Sequence, residues 1–425
     1  LQVLVAAGKA ALSRVGDRKA KRRRFAKTSG GTARVDAMIK EAACYITREI
    51  GDFDTDPMAL NMANGTLRVA KVDGVWQTAV SQHDRQDLIT KILPVDHDPE
   101  AECPLFLNFL EEILPDIMPG GEIGPGEVVR SFLQRYLGYC LTALTTEQVF
   151  VFFYGEGRNG KSTIVDLMCR ILGDYATTVP FETLAGDDKR KGSEATPDLA
   201  RLPGARLVRA SEPEQKMAFR ESTVKGLTGG EPILVRRLHA DFIEIYPTFK
   251  LIVSGNHKPK IQGVDEGIWR RVLLVPFEVQ IDKAKIDKAL PEKLWGERSG
   301  ILNWLLAGLL SYLEEGLNVP DAVRSATDEY REDSDPVGAF IREGCEITQN
   351  DHDECTPGDL YEGFKLYCHK NGHYPLGVTT VTRQLPKKAD IFGFKKTKRS
   401  GTIYRGIQIK PEFRPGQSED EPGFL

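Results

Sequence analysis

The sequence predicts an α/β protein with a central parallel sheet, preceded by a mostly helical α+β region and followed by a smaller domain. The sheet is predicted by short apolar runs between residues 148 and 280, namely VFVFFY, RLVRAS, FKLIVS and VLLVP. Nearly continuous apolar runs form strands that are buried on both faces, as in a parallel sheet covered by helices. Segments with helical spacing separate them, and a long apolar helix is predicted over residues 299–316.

Changes of pattern along the chain predict three domains, over residues 1–147, 148–335 and 336–425. In the first, Asn64-Gly65 between apolar runs indicates a hairpin turn, and CPLFLNFLEEILPD and VVRSFLQRYLGYCLTAL have helical spacing. In the third, we expect helices and a late hairpin around GFKKTKRSGTIYRGIQI. The basic stretch RKAKRRRFAK at 18–27 has two interpretations, a solvated helix face or arm and a nucleic-acid contact.

Composition and charge narrow the class of protein. Hydrophobic residues make up 41% of the 425 residues and charged residues 28%, which is ordinary for a soluble globular protein. The sequence has no apolar run that could span a membrane, and its start lacks a basic leader, so we expect an intracellular protein of the host cytoplasm. Seven widely spaced cysteines favour reduced thiols. The net charge of −4 does not by itself indicate nucleic-acid binding, so any such contact must rest on local basic patches.

The stretch GEGRNGKST at 155–163 fits the phosphate-loop pattern, between an apolar strand and a helical segment. Glycines let backbone N–H groups close round phosphates, and the following helix adds a positive dipole. Lys161 would reach the β- and γ-phosphates of ATP, and the Ser162 hydroxyl would bind Mg²⁺. The alternative is a glycine-rich turn without a ligand. The predicted nucleotide-binding residues are Gly155, Glu156, Gly157, Arg158, Asn159, Gly160, Lys161, Ser162 and Thr163.

Three other apolar strands carry candidates for ATP hydrolysis. Glu212 and Glu214 follow RLVRAS, where a carboxylate can hold the metal-bound water. We favour Glu212 because it comes directly after the strand, and two solvated carboxylates are the alternative. Asn256 follows FKLIVSG, where its amide can bond the γ-phosphate or the attacking water. Arg270 and Arg271 precede VLLVPF. Adjacent arginines are usually surface charges, but in a ring one of them can reach the neighbouring subunit's γ-phosphate.

In their order, these motifs resemble those of superfamily 3 helicases of the poxvirus and phage or plasmid primase-helicase type. The matching segments are GEGRNGKST, RLVRASEPE, KGLTGGEPILVRR, KLIVSGNHKP and GIWRRVLLVPF. The resemblance implies an AAA+-like P-loop NTPase core, a hexameric ring that moves along DNA, and ATP and Mg²⁺ as ligands. Its pattern places Lys161 and Ser162 on nucleotide and metal, Glu212 on Mg²⁺, Asn256 on the γ-phosphate and Arg270 or Arg271 in trans. Some members have two adjacent acidic residues where this chain has EPE, so the roles of the two glutamates stay open.

The same family places a DNA-reading hairpin before the asparagine strand. Here ILVRRL and DFIEIYP flank a tip at 238–241, so Arg236, Arg237 and His239 are the predicted DNA contacts. Cations at such a tip can follow the phosphates of a single strand through a ring pore. An ordinary hairpin with surface arginines is the alternative. The tail, from FIREGCEI to CHKNGHYPL, resembles the winged-helix domain that often follows this core, and its KKTKR cluster either contacts phosphates or is solvated.

Two functional hypotheses of different classes result. The first is an ATP-dependent DNA helicase in the replication of a virus, phage or mobile element, working with DNA, further copies of the chain and a primase or polymerase domain or partner. The second is a DNA-stimulated ATPase that loads or remodels nucleoprotein without unwinding it. A small-molecule kinase would explain neither the asparagine motif nor the paired arginines and basic flanks.

One further pattern resembles a zinc site. His352, Cys355, Cys368 and His373 read H-x2-C-x12-C-x4-H, a spacing that zinc ligands can have. However, YEGFKLYCHKNG has the pattern of an amphipathic helix with Cys368 on its apolar side. A small buried thiol is the commoner role for such a cysteine, and the sequence favours it.

Overall fold

The structure of the protein is a computed structural model. Its chain divides into two compact units. One consists of Leu1–Thr55 and Arg85–Thr90, and the other of Asp56–Asp84 and Lys91–Leu425. In the described part of the first unit, helix α1 (Thr32–Ala43) has no buried side chain. The basic stretch at 18–27 lies outside the described residues apart from Phe25. The described residues are 25, 29–43, 45, 48–118, 120–121, 123–186, 196–210, 213, 217–236, 241–261, 266–348, 350–398 and 401–414.

The larger unit begins with an antiparallel three-stranded sheet. Its strands β1 (Ala59–Met62), β2 (Gly65–Val72) and β3 (Val75–Ser81) pair in chain order. Met62 lies opposite Gly65, so the predicted hairpin forms, but its two turn residues are Ala63 and Asn64, and Gly65 is already the first residue of β2. Helices α2 (Pro104–Ile113) and α3 (Gly126–Tyr139) follow, in the two segments with helical apolar spacing.

A five-stranded parallel sheet forms the centre of this unit. Its order is β10 (Val272–Pro276), β4 (Phe150–Tyr154), β9 (Lys250–Gly255), β6 (Leu207–Ala210) and β5 (Ala176–Val179), and each strand is parallel to its neighbours. All four predicted apolar runs lie in it, which confirms the predicted α/β core. The edge strand β5 was not predicted, because only the last of its four residues is buried. Strands β7 (Ile233–Arg236) and β8 (Phe242–Ile245) form a separate antiparallel hairpin.

Six helices accompany these strands within the described residues, and one of them anchors the preceding region. Helix α8 (Arg298–Glu315) packs against α3 so closely that a Cβ on Gly308 would lie 2.1 Å from the carbonyl oxygen of Gln134. In turn, the hydroxyl of Tyr136 in α3 donates to the carbonyl of Leu251 in β9 at 2.9 Å. Every helix in the described ranges is too short or too polar to cross a membrane. The six are α4 (Lys161–Leu172), α5 (Glu221–Gly229), α6 (Glu266–Trp269), α7 (Leu290–Gly296), α8 (Arg298–Glu315) and α9 (Asp321–Ser334).

The last part of the chain has a hydrophobic core of its own, built from residues between Val337 and Phe413. Strands β12, β13 and β14 form one antiparallel sheet, and β11 pairs with β15. The helices and the late hairpin form as expected, whereas the winged-helix assignment and the three domain boundaries stay predictions. The elements are α10 (Pro336–Gly344), β11 (Cys345–Ile347), β12 (Glu354–Cys355), α11 (Pro357–Lys370), α12 (Val378–Phe392), β13 (Lys395–Lys398), β14 (Thr402–Arg405) and β15 (Ile407–Ile409).

Asp335 lies where the chain enters this last part and holds two elements of it. Its Oδ1 accepts a hydrogen bond of 2.9 Å from the backbone N–H of Gly338, which caps the amino end of α10. Its other carboxylate oxygen contacts the ammonium of Lys388 in α12, a side chain that is only 2% exposed. Asp335 therefore joins α10 to α12 through a buried ion pair.

Candidate nucleotide-binding site

The loop between β4 and α4 has a backbone conformation that needs glycine. Gly157 and Gly160 have φ values of 65° and 80°, in the left-handed region that glycine adopts without strain. Gly160 must also lack a side chain, because a Cβ there would lie 2.7 Å from Cγ2 of Ile113 in α2. Arg158, between them, has a φ of 50°, so the turn strains one residue that is not glycine. Helix α4 begins directly afterwards, which places its unpaired N–H groups and positive dipole at the loop.

Lys161 is buried at the centre of this loop, with 4% of its surface exposed. Its ammonium donates to the carbonyl of Gly155 at 2.5 Å and to Oδ1 of Asn159 at 3.0 Å. Asn159 is itself buried and donates through Nδ2 to the carbonyl of Phe277 at 3.2 Å. The side chain of Asn159 therefore fixes the lysine against the end of β10. The result is a buried positive charge held among oxygen atoms at the loop.

Asn256 also lies at the loop, as the sequence predicts. Strands β4 and β9 are neighbours, with Tyr154 opposite Gly255, so the residue after β9 meets the residues after β4. The side-chain oxygen of Asn256 accepts from the N–H of Gly157 and from the ammonium of Lys161, both at 3.2 Å. A cavity of about 200 Å³ lies here. It is lined by Gly157, Arg158, Asn159, Gly160, Lys161, Ser162, Thr163, Ser254, Gly255 and Asn256.

A second cavity, of about 330 Å³, shares Gly155 and Glu156 with the loop. Lys258 extends along its wall, with its ammonium 5.1 Å from the ring centre of Tyr154 and 2.9 Å from Oδ2 of Asp333 in α9. The remaining lining residues are Leu274, Pro276, Phe277, Glu278, Gln280, Ala326 and Glu329.

Apart from Gly155 and Glu156, the residues that line this second cavity were not predicted from the sequence. A signal existed for some of them. Lys258 comes two residues after Asn256, and Glu278 and Gln280 follow β10 at the edge of the sheet where the loop follows β4. Ligands of open parallel sheets bind at this carboxyl edge, so residues after every strand were candidates. Glu329 lies on α9, and its position depends on helix packing that the sequence pattern does not reveal.

The two glutamates of the acidic motif lie outside the described residues, so their roles stay predictions. Their surroundings are described in part. Strand β6 ends at Ala210, at the same edge of the sheet as the loop. Pro213 then passes Gly255 so closely that a Cβ on that glycine would lie 2.8 Å from the proline Cδ. Pro213 therefore lies beside the residue that precedes Asn256.

The paired arginines lie at the opposite edge of the sheet. Val272 in β10 is level with Phe150 in β4, so the arginines come before the strands and the loop after them. Five residues of strand at about 3.3 Å each separate the two edges by roughly 16 Å. Arg271 is 8% exposed, and its guanidinium donates to the carbonyl of Gly267. Arg270 is exposed. Neither can meet the phosphate loop of its own chain, and only Arg270 is accessible from outside.

The hairpin predicted to read DNA is present as β7 and β8. Arg236 lies directly opposite Phe242, and its guanidinium is 5.2 Å from the centre of that ring. Arg237 and His239 lie outside the described residues, so the structure tests neither. Leu234 and Tyr246 are 64% and 63% exposed, which gives the hairpin apolar as well as cationic surface.

The four residues with zinc-like spacing do not come together. Cys355 and Cys368 are buried in the C-terminal hydrophobic core, and Cys355 donates through Sγ to the carbonyl of Ile407 at 3.3 Å. Burial raises the pKa of both thiols, which keeps them protonated. His352 and His373 are exposed. Among the described residues, no group of three or more His, Cys, Asp or Glu side chains could hold a metal ion.

Fold and site together define an α/β protein with a P-loop-like core. Three family models match parts of the chain and indicate which kind of P-loop protein it resembles. The model described as "D5 N terminal like" matches residues 3–115. "Family of unknown function (DUF5906)" matches 153–271, which includes the loop and Asn256, and "Poxvirus D5 protein-like" matches 332–414. The D5 models thus flank the segment that carries the site. The resemblance to primase-helicases of the D5 type is confirmed.

Curated relatives are viral. The chain is 28% identical over 356 residues to "Putative helicase L207/L206" of Acanthamoeba polyphaga mimivirus, covering 79% of this chain and 36% of that protein. It is 34% identical over 158 residues to "Putative helicase 022R" of Frog virus 3, covering 36% and 16%. It is 22% identical over 224 residues to "Putative primase C962R" of African swine fever virus, covering 52% and 22%. The chain therefore spans about a third or less of the length of these relatives.

Solved structures add a weaker similarity. The apo C-terminal region (305–718) of NrS-1 matches with a TM-score of 0.46 and 12% sequence identity, covering 88% of this chain and 90% of that one. This similarity is too low to carry an argument about the site.

Proposed function

We propose that this chain is the ATP-hydrolysing helicase part of a viral or phage replication protein, an AAA+-like superfamily 3 motor that works on DNA as a hexameric ring. The observation that carries the proposal is the convergence of Lys161 and Asn256 on a loop of the P-loop pattern. The names of the relatives, which include helicases and primases, support a role in replication. Because the chain spans about a third or less of their length, a primase or polymerase activity would belong to a further domain or partner.

The donor set at the loop fits the phosphates of a nucleotide. Backbone N–H groups, the amino end of α4 and a buried ammonium all favour a polyanion. The ammonium of Lys161 now contacts the carbonyl of Gly155 and two asparagine side chains, which bound β- and γ-phosphates would replace as its partners. The second cavity shares Gly155 and Glu156 with the loop, so it is our candidate for the nucleoside.

Among the described residues of the site, Ser162 is the one that can bind Mg²⁺, because it is exposed at the start of α4 and carries a hydroxyl. With Glu212 as the second protein ligand, the ion would neutralise phosphate charge during hydrolysis. We assign Asn256 to the γ-phosphate or the attacking water, an assignment supported by the contacts of its amide with Gly157 and Lys161.

The position of the arginines supports a site shared between subunits. An arginine that stabilises the transition state must touch the γ-phosphate, and neither arginine of this chain reaches its own loop. Arg270 is exposed, whereas Arg271 is buried against the carbonyl of Gly267. We therefore assign the trans role to Arg270 and a structural role to Arg271.

DNA would contact the hairpin and the C-terminal part of the chain. In the hairpin, the exposed Phe242 and Tyr246 offer stacking surface beside the cation of Arg236, a combination that suits single strands. In the winged-helix-like part, Lys396 and Lys398 of β13 are exposed and can contact phosphates of a duplex.

The test is displacement of a labelled strand from forked DNA in the presence of ATP and Mg²⁺, with the Lys161→Ala variant alongside. Loss of one transition-state donor costs about 10²–10³ in rate, so the variant should retain less than 1% of the activity. Lys293→Ala removes an exposed lysine that pairs with Asp287, and this matched control should behave as the wild type. DNA-stimulated hydrolysis without displacement would favour a loader or remodeller. Equal turnover by wild type and Lys161→Ala would refute the assigned site.

A further inference from the structure

Gln148 has an unusual backbone conformation just before β4. Its φ is 54°, in the left-handed region that side chains other than Asn, Asp and His seldom adopt. A strained residue persists only where its surroundings hold it, and such residues cluster at functional sites. Gln148 lies at the amino edge of the sheet, far from the phosphate loop. Nucleotide binding by its own chain therefore does not explain the strain.

The side chain of Gln148 bridges two elements at this edge. Its Nε2 donates to the carbonyl of Gly229 at 3.1 Å, and its Oε1 accepts from Nη2 of Arg270 at a longer 3.5 Å. Among the described residues, it is the one side chain within hydrogen-bonding distance of the Arg270 guanidinium. Gly229 ends α5, and β7 of the hairpin begins four residues later at Ile233. The amide thus links the exposed arginine to the base of the hairpin.

The loop that carries Gln148 is itself firmly held. The buried ammonium of Lys250 donates to the carbonyls of Thr142 and Leu144 at 2.5 and 3.1 Å. The hydroxyl of Tyr312 in α8 donates to Oε1 of Glu147 at 3.0 Å. Gln148 therefore offers its amide from a fixed base, whereas Arg270 is a long, exposed side chain with many rotamers.

We propose that Gln148 is a positioning residue that orients Arg270 toward the neighbouring subunit and ties it to the base of the β7–β8 hairpin. This inference rests on the proposed trans role of Arg270. The amide restricts the guanidinium to one direction without neutralising its charge, as a carboxylate would. Through Gly229, a shift of the hairpin on DNA would also move the arginine.

The chain offers two informative substitutions. Gln148→Asn keeps an amide and a residue that tolerates the left-handed conformation, but its side chain is one methylene too short for both contacts. Gln148→Glu keeps the reach and the acceptor for Arg270 but loses the donor for Gly229. Misplacement of a catalytic group by about 1 Å can cost 10²-fold. For Gln148→Asn we expect a kcat of DNA-stimulated ATP hydrolysis lowered by about 10- to 100-fold, with KM for ATP unchanged. Gln148→Glu should retain more activity in hydrolysis than in strand displacement.

Mixed rings distinguish positioning in trans from damage to the residue's own subunit. Lys161→Ala subunits cannot hydrolyse ATP but carry an intact Arg270. When they are mixed with Gln148→Asn subunits, the intact phosphate loops of the latter gain normal arginines from their neighbours. The ATPase rate should therefore rise above the sum of the two separate variants. A rate at or below that sum would overturn the proposal.

Arg270→Ala separates this inference from the function on which it rests. Mixed with Lys161→Ala, it should also recover activity. If Arg270→Ala alone hydrolyses ATP as fast as the wild type, the trans assignment fails. If Arg270→Ala is inactive but Gln148→Asn has the wild-type kcat, the trans assignment stands and the role of Gln148 is refuted. In the double variant, Gln148→Asn should cause no loss beyond that of Arg270→Ala, since both act through one group.

Discussion

Replacing Asp335 with Ala removes two interactions at the entrance of the C-terminal part of the chain. The ammonium of Lys388, only 2% exposed, loses its carboxylate partner, and breaking a buried ion pair from one side costs about 3–5 kcal/mol. The N–H of Gly338 loses its cap, which costs about 1 kcal/mol. Together the change removes about 4–6 kcal/mol. A region of this size has on the order of 4–12 kcal/mol of stability in total, so much of it would be lost.

The Lys388→Met variant separates the effect of losing the ion pair from the effect of losing the helix cap. Burial lowers the pKa of Lys388 although Asp335 opposes the shift, so the folded chain disfavours the charged form. A lysine whose folded pKa is depressed makes the folded state less stable below its usual pKa, and stability rises with pH toward that value. At pH 7 the attraction of Asp335 therefore does not fully offset the cost of burying the Lys388 ammonium. Lys388→Met should be neutral or stabilising by about 1–4 kcal/mol.

Hydrogen–deuterium exchange of the whole chain measures the loss of stability in the C-terminal part separately from the rest of the chain. Peptides from α11 and α12 should exchange about 10³- to 10⁴-fold faster in Asp335→Ala, because each 1.36 kcal/mol is a factor of about ten. Peptides from α4 should exchange as in the wild type. Adding Lys388→Met to Asp335→Ala should restore most of the protection. Less than tenfold acceleration in Asp335→Ala, or no rescue in the double variant, would refute the buried-pair argument.

Two further stability predictions follow from the packing around the sheet. Burial lowers the pKa of Lys250 from its usual 10.5 to about 7, so between those values the unfolded chain holds a proton that the folded chain lacks. Urea unfolding should therefore show stability rising by about 1.5 kcal/mol from pH 7 to 8.5, and Lys250→Met should remove this rise. An equal slope in both proteins would contradict it. Gly308→Ala would place a Cβ 2.1 Å from the carbonyl of Gln134, which should cost roughly 1–3 kcal/mol and lower Tm. Gly296→Ala, whose added Cβ meets nothing within 4 Å, is the control. Equal Tm values for the two variants would show that α3 and α8 can separate without cost.

The sequence predicted the sheet because four of its strands contain short, nearly continuous apolar runs, and such runs are typical of strands that are buried on both faces. It missed β5, an edge strand in which polar residues are tolerated. The loop and Asn256 were predictable because strand ends in a parallel sheet share an edge. The pattern could not separate Arg270 from Arg271. They are neighbours in the chain, and the contact of Arg271 with the carbonyl of Gly267 depends on the turn after α6.

Gln148 shows a different limit of sequence patterns. No motif contains it, and its side chain contacts residues from far along the chain. Gly229 and Arg270 meet it only because α5 ends, and β10 begins, at the same edge of the sheet. Long-range contacts of this kind are specified by packing, which a periodicity of two or 3.6 residues does not encode.

The separation of the two edges has a consequence for assembly. The phosphate loop and Asn256 occupy the carboxyl edge of the sheet, while Arg270, Gln148 and the base of the hairpin occupy the amino edge, roughly 16 Å away. One chain cannot bring the two edges together. A head-to-tail contact would place the amino edge of one subunit against the carboxyl edge of the next, and such heterologous contacts form a ring when the rotation between subunits closes. In the proposed hexamer, the hairpin and the arginine that completes the neighbour's site would thus move as one unit. DNA binding by one subunit would then change ATP hydrolysis at the phosphate loop of the next subunit before it changes hydrolysis at its own loop.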